Sequence, residues 1–260
     1  MKLPQLKSLI LTLTFFCYLG ANFAFAQTSR FSKNIYTNTK GDSLNYRLLV
    51  PDYDTIRKYP LIIFLHGSGE RGNDNEAQLK WGVANFATDQ AMTQFPAFVI
   101  APQCPKNQTW SNVKNYQQGG VLTLNPDPSK PMALLMELIQ KFTKKFKVDT
   151  NRIYITGLSM GGYGTYDALE RYPDLFAAAV PVCGAGDSSR AKSIAHIPMW
   201  IFHGSEDAAV NPLYSVEMYQ ALIKAGAHPG FTMYPETGHF SWLAAYSDPL
   251  MRTWLFRQHK

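Results

Sequence analysis

The sequence predicts an α/β fold, a mostly parallel central sheet with helices packed on both of its faces. Two observations carry that reading. Short apolar runs recur at residues 44–50, 61–65, 98–101, 153–156, 177–182, 199–202 and 231–234, the pattern of strands buried on both faces. Segments with helical spacing lie between several of them, and strand–helix alternation of this kind closes into a parallel sheet with crossover helices above and below.

Taken in order, residues 1–26 place Lys2 and Lys7 before an apolar run from Leu9 to Tyr18, then Ala24-Phe25-Ala26 ahead of Gln27. That is the layout of a secretory signal peptide with a small-residue cleavage site, so export from the cell or to the periplasm is expected. An uncleaved membrane anchor is the rival, but Thr12, Thr14, Gly20 and Asn22 interrupt a span of marginal length. The residues before Cys17 are not the small ones that precede a lipidated cysteine. Residues 27–260 have the length of one large domain with a substantial core. Within it, helices are expected at 76–87, at 161–171, and at 213–225 up to Gly226. Met132, Leu134, Leu135, Leu138, Ile139, Phe142 and Phe146 mark an amphipathic helix whose other face carries Lys141, Lys144, Lys145 and Lys147. The stretch 102–131, rich in Pro, Asn, Gln and Gly with Trp110 and Tyr116 embedded, is long for a loop inside a compact domain and reads as a flap bordering a cleft.

Composition narrows the function. The formal charge of +6 falls to +4 once residues 1–26 are removed, because that segment holds two lysines and no acids. A balance so mild and scattered does not point to nucleic acid. There is no H-E-x-x-H and no C-x-x-C, so neither a metal nor a cofactor is expected.

The chemistry is concentrated in a few loops, each at the end of an expected strand. Gly157-Leu158-Ser159-Met160-Gly161 follows the run at 153–156 and opens the small-residue stretch Gly162-Tyr163-Gly164-Thr165. A G-x-S-x-G between strand and helix is a sharp turn that exposes the serine hydroxyl as a nucleophile. The base is expected to be His239, just after the last strand. His228, His259 and His196 lie away from strand ends, while His66 and His203 each sit in a His-Gly pair suited to shaping a turn. Asp207 is the expected orienting acid, with Glu206 and Asp187 as rivals; the order Ser, Asp, His, each after a separate strand, favours it. The oxyanion donors are expected to be the backbone N–H groups of Met160 and Ser68. Gly67-Ser68-Gly69 lacks the Lys-Ser/Thr or the full glycine pattern of a phosphate loop. Trp110, Gln103 and Trp242 are the candidate substrate contacts, with Trp81 completing an aromatic wall.

These residues resemble the α/β-hydrolase superfamily, and more narrowly its secreted carbohydrate-esterase branch of feruloyl and acetylxylan esterases, with polyhydroxybutyrate-depolymerase-like and prolyl-oligopeptidase-like relatives. The resemblance rests on Phe64-Leu65-His66-Gly67-Ser68-Gly69-Glu70-Arg71-Gly72, on Val99-Ile100-Ala101-Pro102-Gln103-Cys104-Pro105, and on segments 149–164, 173–184, 201–207 and 234–242. It implies an α/β-hydrolase domain over 27–260 and a carboxylic-ester hydrolase acting through Ser159, His239 and Asp207. The implied substrates are small-molecule or polysaccharide-linked esters, acetyl or feruloyl among them. A peptidase and a non-catalytic binding protein on the same scaffold are the alternatives; the first usually carries a large extra domain, the second a damaged triad. In that fold the strands before Cys104 and Cys183 lie three spacings of about 4.8 Å apart. That exceeds the roughly 7 Å reach of a disulfide, so free thiols are expected.

Overall fold

The computed structural model describes residues 27–52, 56–114 and 122–260. The expected signal peptide, Cys17 and Tyr116 lie outside them. Ten strands are described: β1 Ser32–Thr37, β2 Ser43–Leu49, β3 Tyr59–Leu65, β4 Phe98–Pro102, β5 Val113–Lys114, β6 Thr123–Leu124, β7 Val148–Leu158, β8 Ala178–Val182, β9 Trp200–Gly204 and β10 Gly230–Tyr234. The helices are α1 Asp89–Gln94, α2 Lys130–Lys145, α3 Met160–Arg171, α4 Ala191–Ile194, α5 Leu213–Lys224, α6 Trp242–Ser247 and α7 Pro249–Phe256.

Eight strands form one sheet in the order β1-β2-β4-β3-β7-β8-β9-β10, and β5 pairs with β6 in a separate hairpin. From β4 to β10 every pairing is parallel, while β1 and β2 run antiparallel at one edge. β3, β4 and β8 are buried at every position, because helices cover both faces and leave a polar side chain nowhere to reach water. One core packs α2, α3 and α5 against the sheet; the other packs α6 and α7 on the opposite face. Two strands, β3 and β7, do separate the strand before Cys104 from the strand before Cys183, and both thiols are free and buried.

The helix expected at 76–87 is a correction. Two short 3-10 turns, Ala77–Leu79 and Val83–Phe86, occupy that span, broken at Gly82 with φ 74°. A β-carbon at Gly82 would strike the Tyr246 ring, so the backbone passes the ring in a left-handed conformation that glycine tolerates. In the stretch expected as a flap, the described residues are latched to α3 and to Asp187. Asp167 accepts from Asn112 N–H (2.9 Å) and Ser111 Oγ (3.3 Å), Arg171 donates to the carbonyls of Asn125 and Pro126, and Asp187 accepts from Leu124 N–H. Among the described residues no helix is long and apolar enough to cross a membrane.

Candidate active site

β3, β7, β9 and β10 run parallel, so their C-terminal ends lie on one side of the sheet, the side on which open α/β sheets carry their ligand crevice. Ser159 stands between β7 and α3 at φ 53° and ψ −119°, a strained conformation for a residue with a β-carbon. The flanking glycine explains how the turn is that tight. A β-carbon on Gly161 would run into the Leu65 carbonyl of the neighbouring strand, so α3 can start directly against β3 and hold the serine outward.

Three side chains meet there. His239 Nε2 lies 2.9 Å from Ser159 Oγ, and His239 Nδ1 lies 2.7 Å from Asp207 Oδ2. His239 comes from the loop after β10 and its side chain keeps 21% exposure, while the Asp207 side chain is fully buried. Asp207 Oδ1 accepts from the N–H groups of Ala209 and Val210, both at 2.9 Å. Burial raises the Asp207 carboxyl, but hydrogen bonds from His203, from His239 and from Val210 N–H outweigh it and hold the group well below the usual carboxylate range. Trp242 packs against the His239 ring in a T-shaped contact, with centroids 5.1 Å apart.

Met160 is the first residue of α3 and Ser68 the first of a 3-10 turn, Ser68–Glu70, after β3. Backbone N–H groups at helix starts have no partner inside the helix, so both are free to serve an external acceptor. His66 fixes the second loop: its Nδ1–H donates to the Gly67 carbonyl at 2.6 Å, and its Nε2 accepts from Cys104 N–H at 2.9 Å. Burial pushes the His66 ring down to about 4, against the opposing effect of the Gly67 carbonyl, so the ring is neutral and its tautomer set.

The expected substrate contacts fare unevenly. Trp110 is completely buried and donates from Nε1 to the His66 carbonyl at 3.2 Å; it braces the loop from behind and cannot line the crevice. Gln103 is also buried, donating to the Glu70 carbonyl and Asp74 Oδ1 and accepting from Asn75 N–H. It ties the segment after β3 to the end of β4. Trp242 is packed between His239, Phe240 and Trp81. The surface presented outward belongs instead to Phe240, 55% exposed, and half-buried Trp81, which meet edge to face at 5.9 Å with Lys80 Nζ 4.9 Å from the Trp81 ring centroid. A large apolar side chain directly after the expected base was the available signal for Phe240.

Cys183 occupies the turn after β8 at φ 39°. Its sulfur and ligand atoms of Asp207 and His239 all lie within 4.8 Å of one another. Burial pushes its thiol up to about 12, and Asp207 and His239 are hydrogen-bonded to each other, so the thiol is a protonated packing group here.

Over residues 54–248 the sequence matches the family model described as Phospholipase/Carboxylesterase. The chain belongs to that family. Among solved structures of the same fold, a thermostable esterase is 37% identical with a TM-score of 0.84, covering 90% of this chain and 64% of that one. A ferulic acid esterase has a TM-score of 0.66 at 18% identity, covering 87% and 98%, a likeness of fold alone. In sequence, the bifunctional acetylxylan esterase/xylanase XynS20E of Neocallimastix patriciarum is 24% identical over 178 residues, 68% of this chain and 23% of that protein. The chain therefore spans less than a quarter of that curated relative.

Proposed function

We propose that this chain is an exported serine carboxylesterase that cleaves small acyl or hydroxycinnamoyl groups, acetyl and feruloyl among them, from small-molecule or polysaccharide-linked esters. The observation that carries the reading is the unbroken hydrogen-bonded line from Ser159 through His239 to Asp207.

In this reading Ser159 Oγ adds to the ester carbonyl while His239 Nε2 takes the hydroxyl proton. The oxygen of the tetrahedral intermediate accepts from the N–H groups of Met160 and Ser68; losing one such donor typically costs about 10² to 10³ in turnover. Collapse expels the alcohol, which takes the proton from His239 and leaves an acyl group on Ser159. Water, activated by the same imidazole, then releases the acid. Asp207 holds the imidazole in the tautomer that can accept at Nε2 and stabilises the imidazolium. None of these steps calls for a cofactor. Export is supported by the order of charged, apolar and small residues in 1–26. The ester class draws support from the family, and the acetyl and feruloyl groups from the acetylxylan and ferulic acid esterases that the chain is similar to.

The test is initial rates on matched acetyl, butyryl and feruloyl esters for the protein and for Ser159→Ala. Turnover should fall by about 10⁴ or more in the variant. A peptide anilide serves as control and should be cleaved far more slowly than the esters. Ester turnover that survives loss of the Ser159 hydroxyl would overturn the mechanism; faster anilide cleavage would replace esterase by peptidase.

A further inference from the structure

The hydrogen-bonded line at the active site does not end at Asp207. His203, the last residue but one of β9, is fully buried, and its Nε2 lies 3.2 Å from Asp207 Oδ2, the same oxygen that His239 engages. Nε2 also lies 3.0 Å from the Val210 carbonyl. Both neighbours are pure acceptors, so Nε2 must carry the proton. The other ring nitrogen, Nδ1, lies 2.7 Å from Ser215 Oγ on α5, and Ser215 is itself buried.

We propose that His203 is a positioning residue of the active site: its Nε2–H, hydrogen-bonded to the Val210 carbonyl, stands 3.2 Å from Asp207 Oδ2 and holds the loop whose N–H groups cradle that carboxylate, and Ser215 on α5 fixes the ring. The inference rests on the reading of Asp207 as partner of the base. A carboxylate offers about four acceptor positions; here three hold hydrogen bonds, two on Oδ1 from backbone N–H groups and one on Oδ2 from His239, and the His203 Nε2–H stands 3.2 Å from Oδ2. The carboxylate plane is thereby fixed before substrate arrives, as orientation of the base requires. The nearby N–H dipole has an electrostatic consequence too. Charge that Oδ2 shares with His203 is charge it does not offer His239, so His203 restrains the basicity of the imidazole that takes the Ser159 proton. The charged and titratable groups facing this centre are Asp207, His239 and the Cys183 thiol, and Ser215 closes it from α5.

The experiment compares His203→Phe, His203→Gln and Ser215→Ala. Phenylalanine fills the space without a donor; glutamine can return an N–H near the position of Nε2. In His203→Phe, kcat should fall about ten- to a hundredfold, the range of one hydrogen bond to a charged group, with KM changing much less. The acid limb of kcat/KM should move up, because a carboxylate without the neighbouring N–H stabilises the His239 imidazolium more strongly. Ser215→Ala should move both in the same direction by less, and His203→Gln should restore most of each. The titration of His239 is also followed by NMR in a Ser159→Ala background, where no turnover is needed. If the wild type shows no Ser159-dependent hydrolysis, the esterase reading fails while the titration still decides the link from His203 to His239. A folded His203→Phe whose His239 titration and pH limb stay in place overturns the proposal. So does a His203→Gln as impaired as His203→Phe, which would leave only a packing role. Should His203→Phe fail to fold, Ser215→Ala and His203→Gln carry the same comparison.

Discussion

Trp110 sits among Pro, Asn, Gln and Gly, so nothing near it in the chain marks a core for it to join. The core it joins is remote: His66 at the end of β3, and Gly164 on α3, where a β-carbon would meet the Trp110 side chain. A long-range contact of this kind leaves no local trace, whereas Ser159, Asp207 and His239 are readable because each follows its own apolar run. Gln103 was hidden for the same reason as Trp110; its three partners lie about thirty positions away, at Glu70, Asp74 and Asn75. The consequence is a separation of stability from binding. Trp110→Ala should cost about 3–5 kcal/mol of folding stability, read as a lower midpoint in urea unfolding, while KM for a small ester on the remaining folded protein stays close to the wild-type value. A large rise in KM with unchanged stability would return Trp110 to the crevice.

At the scale of elements, the central strands were legible because burial on both faces forces unbroken apolar runs. β1 was not, because Ser32–Thr37 is an edge strand with one buried position, Tyr36, and its alternation is swamped by polar neighbours. α6 and α7 are short and separated only by Asp248, which caps the second through Leu250 N–H, so neither offers enough turns for a periodicity to show. Gly82 broke a helix that spacing alone suggested. The strand–turn–helix unit of β7 and α3 is where local sequence and tertiary packing agree most closely, and it yields a prediction against the ordinary rule. Replacing glycine by alanine inside a helix usually gains about 0.5–1 kcal/mol. Gly161→Ala should do the reverse, since its β-carbon points into the Leu65 carbonyl and α3 would have to back away from β3. A melting temperature several degrees lower and loss of ester turnover are expected; a variant that melts higher would show that α3 does not need this contact.

Across the whole molecule, the two faces of the sheet enclose ionisable groups whose titration sets how stability depends on pH. His66 is neutral when folded, its ring depressed from 6.5 to about 4. The unfolded chain therefore takes up that proton first, and stability is lost as pH falls from about 6.5 towards 4, by up to about 3 kcal/mol for a fully buried ring. Glu170 on α3 acts at the other end of the scale. Its Oε1 accepts from Asp187 N–H at 2.9 Å, while Oε2 and the hydroxyl of Tyr166 one turn earlier are buried with no hydrogen-bond partner among the described residues. Burial raises the Glu170 carboxyl well above its ordinary value, reinforced by Asp167 and Asp187 and opposed by Arg190. A raised carboxyl gives its full contribution only below the unfolded value of 4.5; above that the unfolded chain ionises first and stability drains away until the folded group also loses its proton. Glutamine keeps the acceptor for Asp187 N–H and never ionises. Glu170→Gln should therefore raise the melting temperature at pH 8, and the gain should shrink towards nothing as the pH is lowered to about 4, where the native carboxyl is protonated in both states. Thermal scans of both proteins at pH 4, 6 and 8 measure this directly. A stabilisation of equal size at all three would mean that the amide's shape, and not the lost charge, is responsible; destabilisation at pH 8 would mean that Glu170 is ionised in the fold and held by Arg190.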